Sequence, residues 1–245
     1  MNWIFPIAGH GTRTSSLGGY KPFIEVFNNY NILKLCLVTL RVMINPDDRI
    51  VFIASETQER QYKVRDNIQK LLKEINLSNK ADVVILDKTP HGQALTVKEG
   101  VTQLGNELLN EGTFVINSDQ IVFFDLDDVE LDKCSVGVYF NQSSSSCFFE
   151  LDIEKRQVRD AKEKRKISGY ASAGIFYFTR AAQMLAAIEW GLAEHVEYSG
   201  ELYLGPCMEY FDDLSYFQAL VKFDLGNEKK VQLFRRLCSS MSGIK

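Results

Sequence analysis

The sequence predicts an α/β fold: a mixed, mainly parallel central sheet flanked by helices, with a small hairpin-bearing subregion in its second half. Three observations carry this. Short apolar runs alternate with amphipathic helical stretches up to about residue 117. The connections between them are short and rich in glycine or polar residues. Beyond about residue 135 the apolar runs crowd together with turn residues between them. The composition agrees, since 45% of the 245 residues are hydrophobic and 24% charged. That is a globular balance, and it excludes a disordered chain, a collagen-like chain and a coiled coil. A chain of this size buries roughly 70–75% of its unfolded surface, so it needs neither disulfides nor a structural metal.

Residues 3–8 form an apolar run ending at glycines, as a buried parallel strand does. Residues 31–43 read as a helix with Ile32, Leu35, Cys36 and Leu40 on one face. Residues 49–54 are a second strand. Ser55 is placed to cap one long helix over 56–75. Residues 82–86 are a third strand, 92–109 a helix and 113–117 a fourth strand. In the second half, 135–140, 146–151 and 157–160 are short strands, and the turn at 152–156 makes a hairpin of the last two. Residues 170–178 form a further strand, and helices follow over 180–194 and 228–241. No repeat or linker divides the chain. One domain is expected, with a β-α half over about 1–125 and a mixed, hairpin-bearing half over about 126–245. Ligands of open α/β sheets sit beyond the carboxyl ends of the strands. The segments after Ala8, Leu86, Asn117 and Phe223 are therefore the places to look for chemistry.

The net charge of −4 disfavours a dedicated duplex-nucleic-acid binder but not a small anionic ligand. Five cysteines without C-x-x-C spacing read as reduced thiols. Three scattered histidines make no zinc site. No apolar run reaches the ~20 residues of a membrane span. Residues 1–11 carry no basic segment, so a signal peptide is not expected and a cytoplasmic location is.

The segment Ala8-Gly9-His10-Gly11-Thr12-Arg13, followed by Lys21-Pro22, is the first candidate. Two glycines after a strand let the backbone turn sharply and come close to a ligand, and successive N–H groups can cradle an anion. Arg13 and Lys21 add cations to the same loop. Neither a Walker P-loop nor a three-glycine dinucleotide fingerprint is present. A plain glycine turn carrying two solvated cations is the simpler alternative.

This run resembles the G-x-G-x-R…K-P signature of the nucleotidylyltransferases of GT-A-like fold, which include the sugar-1-phosphate nucleotidylyltransferases, or pyrophosphorylases. Gly18-Gly19-Tyr20 stands where that family often has a proline. Four further segments follow in the family's order. Asn117-Ser118-Asp119-Gln120 ends the fourth strand, where the resemblance implies that Asp119 holds Mg²⁺. Phe223-Asp224-Leu225-Gly226-Asn227-Glu228 resembles a late D-x-G-T segment, with Asn227 in place of Thr and Asp224 as the second metal ligand. Thr89-Pro90-His91-Gly92-Gln93-Ala94 resembles the segment that packs on the base and ribose. Ala161-Lys162-Glu163-Lys164, with the strand over 168–178 and Gly200-Glu201-Leu202-Tyr203-Leu204, resembles the acceptor side. There Glu163, Lys164, Gly174 and Glu201 would meet the acceptor. Each segment also has a plainer reading: a strand-ending Asp, a helix-start turn or a solvated run of charge.

The resemblance implies transfer of NMP from an NTP (CTP, UTP, dTTP or GTP) to a phosphorylated small molecule, with release of pyrophosphate and with Mg²⁺ as cofactor. Ala8, Gly9, His10, Gly11, Thr12, Gly92, Gln93 and Ser118 would bind the nucleotide, while Arg13 and Lys21 neutralise its phosphates. A sugar 1-phosphate destined for cell-surface, capsule-type polysaccharide is the leading acceptor. The first alternative is a cytidylyltransferase acting on a non-sugar phosphate such as phosphocholine, for which Phe148, Phe149, Tyr170 or Phe176 in the acceptor pocket would speak. The second is a non-catalytic nucleotide-binding protein on the same fold. A glycosyltransferase would want a D-x-D motif, which Asp125 and Asp127 formally supply. No nucleic-acid or membrane partner is expected. The sequence says nothing of oligomeric state, and no appended domain is expected after the last motif.

Overall fold

The fold is described from a computed structural model covering residues 1–9, 12–77, 80–143 and 145–242, with only the backbone of Thr12, Arg13, Ser15 and Ser242. The first half contains β1 (Asn2–Pro6), β2 (Glu25–Phe27), β3 (Tyr30–Asn31), α1 (Ile32–Leu40), β4 (Arg49–Ser55), α2 (Glu56–Tyr62), α3 (Val64–Glu74), β5 (Lys80–Leu86), α4 (Gln93–Leu104), β6 (Thr113–Ile116) and β7 (Gln120–Phe124). The second contains β8 (Ser135–Phe140), β9 (Cys147–Asp152), β10 (Gln157–Glu163), β11 (Tyr170–Phe178), α5 (Ala181–Ala193), α6 (Leu204–Cys207), β12 (Ser215–Asp224) and α7 (Glu228–Ser242).

One mixed sheet spans both halves in the order β5-β4-β1-β6-β11-β8-β12-β10-β9, with β7 pairing β12 off this path. The pairings run β1, β4, β5, β6, β8, β9 and β12 one way and β7, β10 and β11 the other, so the sheet is mainly parallel. The small β2–β3 ribbon stands apart.

The continuous apolar character of β1 and β4 follows from burial on both faces. Alternate residues point to opposite sides of a strand. Trp3, Phe5, Ile50 and Phe52 accordingly join α1 and α3 in one core, while Ile4, Val51 and Ile53 join α4 and α5 in another. A third, smaller cluster (Val26, Ile32, Leu225, Val231) fixes α7 against β2. Among the described residues no helix is long and apolar enough to cross a membrane.

The expected elements are present, with four differences. The helix expected over 56–75 is two helices, because Lys63 is left-handed at φ +46°. The break is locally satisfied: the Asn67 amide donates to the Tyr62 carbonyl at 2.7 Å, and the Glu59 carboxylate accepts the Arg65 N–H at 3.0 Å. Helix α1 buries Leu33 and Leu37 beside Ile32, Cys36 and Leu40, whereas Leu35 is only half-buried, since the helix packs on more than one neighbour. The stretch 92–109 closes as a 3-10 turn at Gly105–Leu108, where Gly105 leaves the helical region. Strands β2, β3, β7 and β12 are additions to the elements read along the chain. The last two pair with each other, Phe223 with Ile121 and Asp224 with Gln120.

Candidate active site

A cleft of about 530 Å³ opens at the carboxyl ends of β1, β5 and β6. It gathers Ala8 and Gly9 after β1, Lys21, the Thr89–Gln93 turn after β5, and Asn117, Ser118 and Asp119 after β6. Lys164 after β10 and the loop holding Ser199, Glu201 and Tyr203 form the opposite wall. A hollow of about 560 Å³ beside Phe23, Asn31, Lys34 and Glu74 is slightly larger but borders none of these strand ends, so the convergence of the motif segments, not size, marks this one.

Each side chain arrives by a local cause. Lys21 opens a 3-10 turn (Lys21–Phe23) with Pro22 at its start, a position that proline's fixed φ suits. Its ammonium donates to Asp119 Oδ2 at 2.5 Å. Asp119 follows β6 directly, and its carbonyl accepts the Leu225 N–H at 2.8 Å. This ties the end of β6 to the end of β12. Gly226 lies under both acidic side chains: a Cβ there would stand 2.8 Å from Asp224 Oδ1 and 3.0 Å from Asp119 Oδ2. The two carboxylates therefore converge over one glycine. Asp224 also accepts the Gly226 N–H at 2.6 Å and is ion-paired with Lys230. This donor set fits Mg²⁺, which takes one or two carboxylates and completes its octahedron with water and phosphate oxygens. Among the described residues no group of three or more His, Cys, Asp or Glu forms a cage made of protein alone.

Gly92 precedes α4 at φ +110°, and a Cβ on it would meet the Leu202 carbonyl oxygen at 2.4 Å. The glycine is thus required by the backbone of the opposite wall, whose Leu202 carbonyl accepts the Ala94 N–H at 3.1 Å. Gln93 donates to Asn117 Oδ1 at 2.5 Å, linking the β5 and β6 ends across the cleft floor. On the far wall, Lys164 ends β10 in a left-handed conformation (φ +52°). Its ammonium donates to the Tyr203 hydroxyl at 3.2 Å and lies 4.6 Å and 4.8 Å from the ring centres of Tyr198 and Tyr203. Tyr203 in turn donates to the Glu201 carboxylate. Ser199 and Gly200, both at positive φ, make the tight turn that presents Glu201.

Three expected site residues lie off the cleft wall. The backbone of Gly174 is engaged internally: its carbonyl accepts from Asn117 N at 2.8 Å and Gln120 Nε2 at 3.3 Å, and its N–H donates to Ser172 Oγ at 3.0 Å. It supports the end of β6 from below. Glu163 is largely buried near Cys147 and Gly205, and burial pushes its carboxyl up to about 7, with Glu201 adding to the rise and Lys164 opposing it. Asp224 reaches the site beside Asp119. His10 and Gly11 lie outside the described residues. Of Thr12 and Arg13 the backbone is described, in the 3-10 turn Thr12–Leu17.

The remaining sequence candidates resolve into structural roles. Lys162 pairs with Asp160 and Glu209 rather than facing the cleft. Phe148, Phe149 and Phe176 are core, and Tyr170 packs against that core. Asp125 accepts the Asp127 N–H at 3.1 Å as the cap of an exposed turn after β7, so the D-x-D pair is a turn device away from the cleft. The described cysteines form no disulfide, and burial pushes the Cys207 thiol up to about 12, which leaves it un-ionised.

Neither a protein-family model nor a curated protein sequence matches the chain. Solved structures do. A nucleoside-diphosphate-sugar pyrophosphorylase from Vibrio cholerae RC9 superposes with a TM-score of 0.82 over 96% of this chain and 99% of that one, at 19% identity. The fold is that of the nucleotidylyltransferases. An inositol-1-phosphate CTP transferase from T. maritima (TM-score 0.69, 17% identity, 100% of this chain and 97% of that one) has the same architecture. So does a CTP:phosphocholine cytidylyltransferase from Streptococcus pneumoniae (TM-score 0.70, 14% identity, 97% and 98%).

Two groups at this site, Lys222 and Lys230, were not among the sequence candidates, and two more, Asn117 and Tyr203, stood in candidate segments without a role of their own. Asn117, Tyr203 and Lys230 make the contacts above. Lys222 donates to the Ser172 carbonyl at 2.8 Å and sits 4.4 Å from the Tyr139 ring centre. Burial lowers its ammonium to about 8 against the opposing pull of Asp224 and Asp119. A lysine two residues before Asp224 on the same strand shares its face, and that spacing was the available signal.

Proposed function

We propose that the chain is an Mg²⁺-dependent nucleotidylyltransferase that joins NMP from an NTP to a phosphorylated small molecule and releases pyrophosphate. The observation that carries this is the meeting of Lys21, Asp119 and Asp224 beside the Ala8–Gly9 backbone, at the carboxyl ends of parallel strands. The acceptor's phosphate oxygen attacks the α-phosphorus in line and the bond to pyrophosphate breaks. That nucleophile is already anionic near neutral pH, so no general base is needed. The protein's task is positioning and charge neutralisation.

In this reading the segment from Ala8 to Thr12 and Arg13 receive the β- and γ-phosphates. Gly92, Gln93 and Ser118 border the nucleoside. Asp119 and Asp224 hold Mg²⁺, which supplies charge neutralisation at the phosphates. Lys21, close to Asp119, is within reach of the α-phosphate. Lys164 and Glu201 serve the acceptor, with Lys164 receiving its phosphate; Glu163 and Gly174 support that side from behind. A sugar 1-phosphate for cell-surface polysaccharide is the leading acceptor, in a soluble cytoplasmic enzyme.

A second reading, a cytidylyltransferase acting on a small non-sugar phosphate, draws support from the Tyr198 and Tyr203 rings that flank Lys164. Incubation with Mg²⁺, each of CTP, UTP, dTTP and GTP, and a panel of sugar 1-phosphates, phosphocholine and inositol 1-phosphate, with mass detection of products, separates the two. Turnover with no acceptor but retained NTP binding would favour a non-catalytic nucleotide-binding protein and reject both.

A further inference from the structure

The short helix α2 carries a side chain that reaches the start of the glycine loop. Gln58 is buried, with 7% of its surface exposed. Its Oε1 accepts the Ser55 N–H at 2.9 Å, and its Nε2 donates to the carbonyls of Ala8 at 2.9 Å and Gly9 at 3.0 Å. The Tyr20 hydroxyl lies 3.4 Å from the same Oε1 and donates to the Ile7 carbonyl. The Tyr20 ring stacks on Tyr62, with centres 5.3 Å apart. About two helical turns thus grip residues 7–9 at one end of the loop and Tyr20, immediately before Lys21, at the other. The left-handed Lys63 ends α2 just beyond Tyr62, where the stack is made.

A trans peptide directs its C=O and N–H to opposite sides. With the Ala8 carbonyl turned onto Gln58, the Gly9 N–H points away from α2, and Ala8 and Gly9 are residues that line the cleft. From this we infer that Gln58 is a positioning residue for nucleotide binding: its carboxamide fixes the Ala8 and Gly9 carbonyls against α2 and so holds the loop's backbone donors for phosphate. The inference rests on the nucleotidylyltransferase reading. It requires the amide's two N–H bonds and not merely an acceptor that caps α2.

That distinction sets the test. Gln58→Glu keeps the acceptor for Ser55 N–H and nearly the same shape, but sets a carboxylate against two carbonyl oxygens. Gln58→Met removes both functions without adding charge, and keeps the test open should Gln58→Glu not fold. Binding of the α,β-methylene analogues of CTP, UTP, dTTP and GTP is measured by calorimetry with Mg²⁺, alongside deuterium uptake of the full chain. The expected result in either variant is binding weakened about tenfold or more, as for a buried carbonyl left without its donor. Uptake should be faster in the peptide covering residues 5–20 and unchanged in β10. Binding by Gln58→Glu within about twofold of wild type would show a capping role alone and overturn the inference, as would faster uptake throughout the chain. If the wild-type chain binds none of the four analogues, the functional reading falls separately. The exchange result then still decides the positioning: unchanged uptake over 5–20 overturns it.

Discussion

The two walls of the cleft are built differently. On the wall that the proposed function gives to the nucleotide, Ala8, Gly9, Gly92 and Ser118 present mostly backbone and small side chains, set at the ends of parallel strands by the sheet itself. On the wall it gives to the acceptor, Lys164, Tyr198, Glu201 and Tyr203 are long side chains held by one another after a hairpin and a tight turn. In that reading a triphosphate common to many substrates would be served by geometry the fold enforces, and an acceptor that varies by side chains that can change without disturbing a strand. The structural neighbours fit this contrast: one fold carries names with sugar, inositol and choline phosphates at 14–19% identity.

The contrast can be broken at several points. The largest expected effect lies at the charge pair of the strand-end wall: Lys21→Ala or Asp119→Asn should lower kcat about 10²–10³-fold with the far-UV spectrum unchanged, the range for losing one preorganised electrostatic group. Pyrophosphate release measures it, and a loss under tenfold in both variants would remove these residues from the chemistry. Next, Gly92→Ala sets a methyl 2.4 Å from the Leu202 oxygen at φ +110°, whereas Gly18→Ala at φ +71° meets nothing within 4 Å. Urea denaturation should show Gly18→Ala losing about 1–3 kcal/mol of stability to conformational strain and Gly92→Ala clearly more. Equal losses would mean that the two walls are not locked through that glycine.

On the side-chain wall, Lys164→Met should raise the acceptor KM about tenfold, as for a lost charge-assisted hydrogen bond, and leave the NTP KM unchanged. Tyr203→Phe should show a smaller rise in the same constant. A rise in the NTP KM instead would reassign Lys164 to the nucleotide. The smallest effect concerns Glu163. Its carboxyl is raised from 4.5 to about 7, so the folded state holds this proton more tightly than the unfolded chain does. That contribution is complete below about pH 4.5 and is lost as pH rises through about 7. Glu163→Gln should therefore match wild type in Tm near pH 4 and exceed it by a few degrees near pH 8. A constant difference across that range would show that the carboxyl's titration does not govern it.

The same contrast explains what could be read from the sequence. Glycines after strands, Asp119 after an apolar run and Gly92-Gln93 before a helix are local patterns, and the structure sets them at strand ends beside one cleft. Lys222 and Lys230 carry no local pattern, and Tyr203, although it stands in the Gly200–Leu204 segment, shows its contact only once Lys164 is beside it. Their contacts join residues from separate elements, and only the pairing of β12 with β7 and β8 brings Lys222 to Ser172. The break at Lys63 has no signal in the sequence, because neither Lys nor Val is a helix breaker; Asn67 and Glu59, which satisfy the freed backbone groups, become legible only in three dimensions. The run over 120–124 is only five residues long and lies close behind β6, so it reads as a loop until β12 is there to pair with it.

The pairing of β7 with β12 also orders events in time. Asp119 and Asp224 are far apart along the chain, yet their spacing is set by one ladder, with Gln120 opposite Asp224 and the Leu225 N–H on the Asp119 carbonyl. The residues of β1, β4, β5 and β6, with Lys21 and Asp119, all leave the ribosome before residues 215–224 are made. The second carboxylate joins only when that strand docks, so a nascent chain that lacks it has the first acid without the pair.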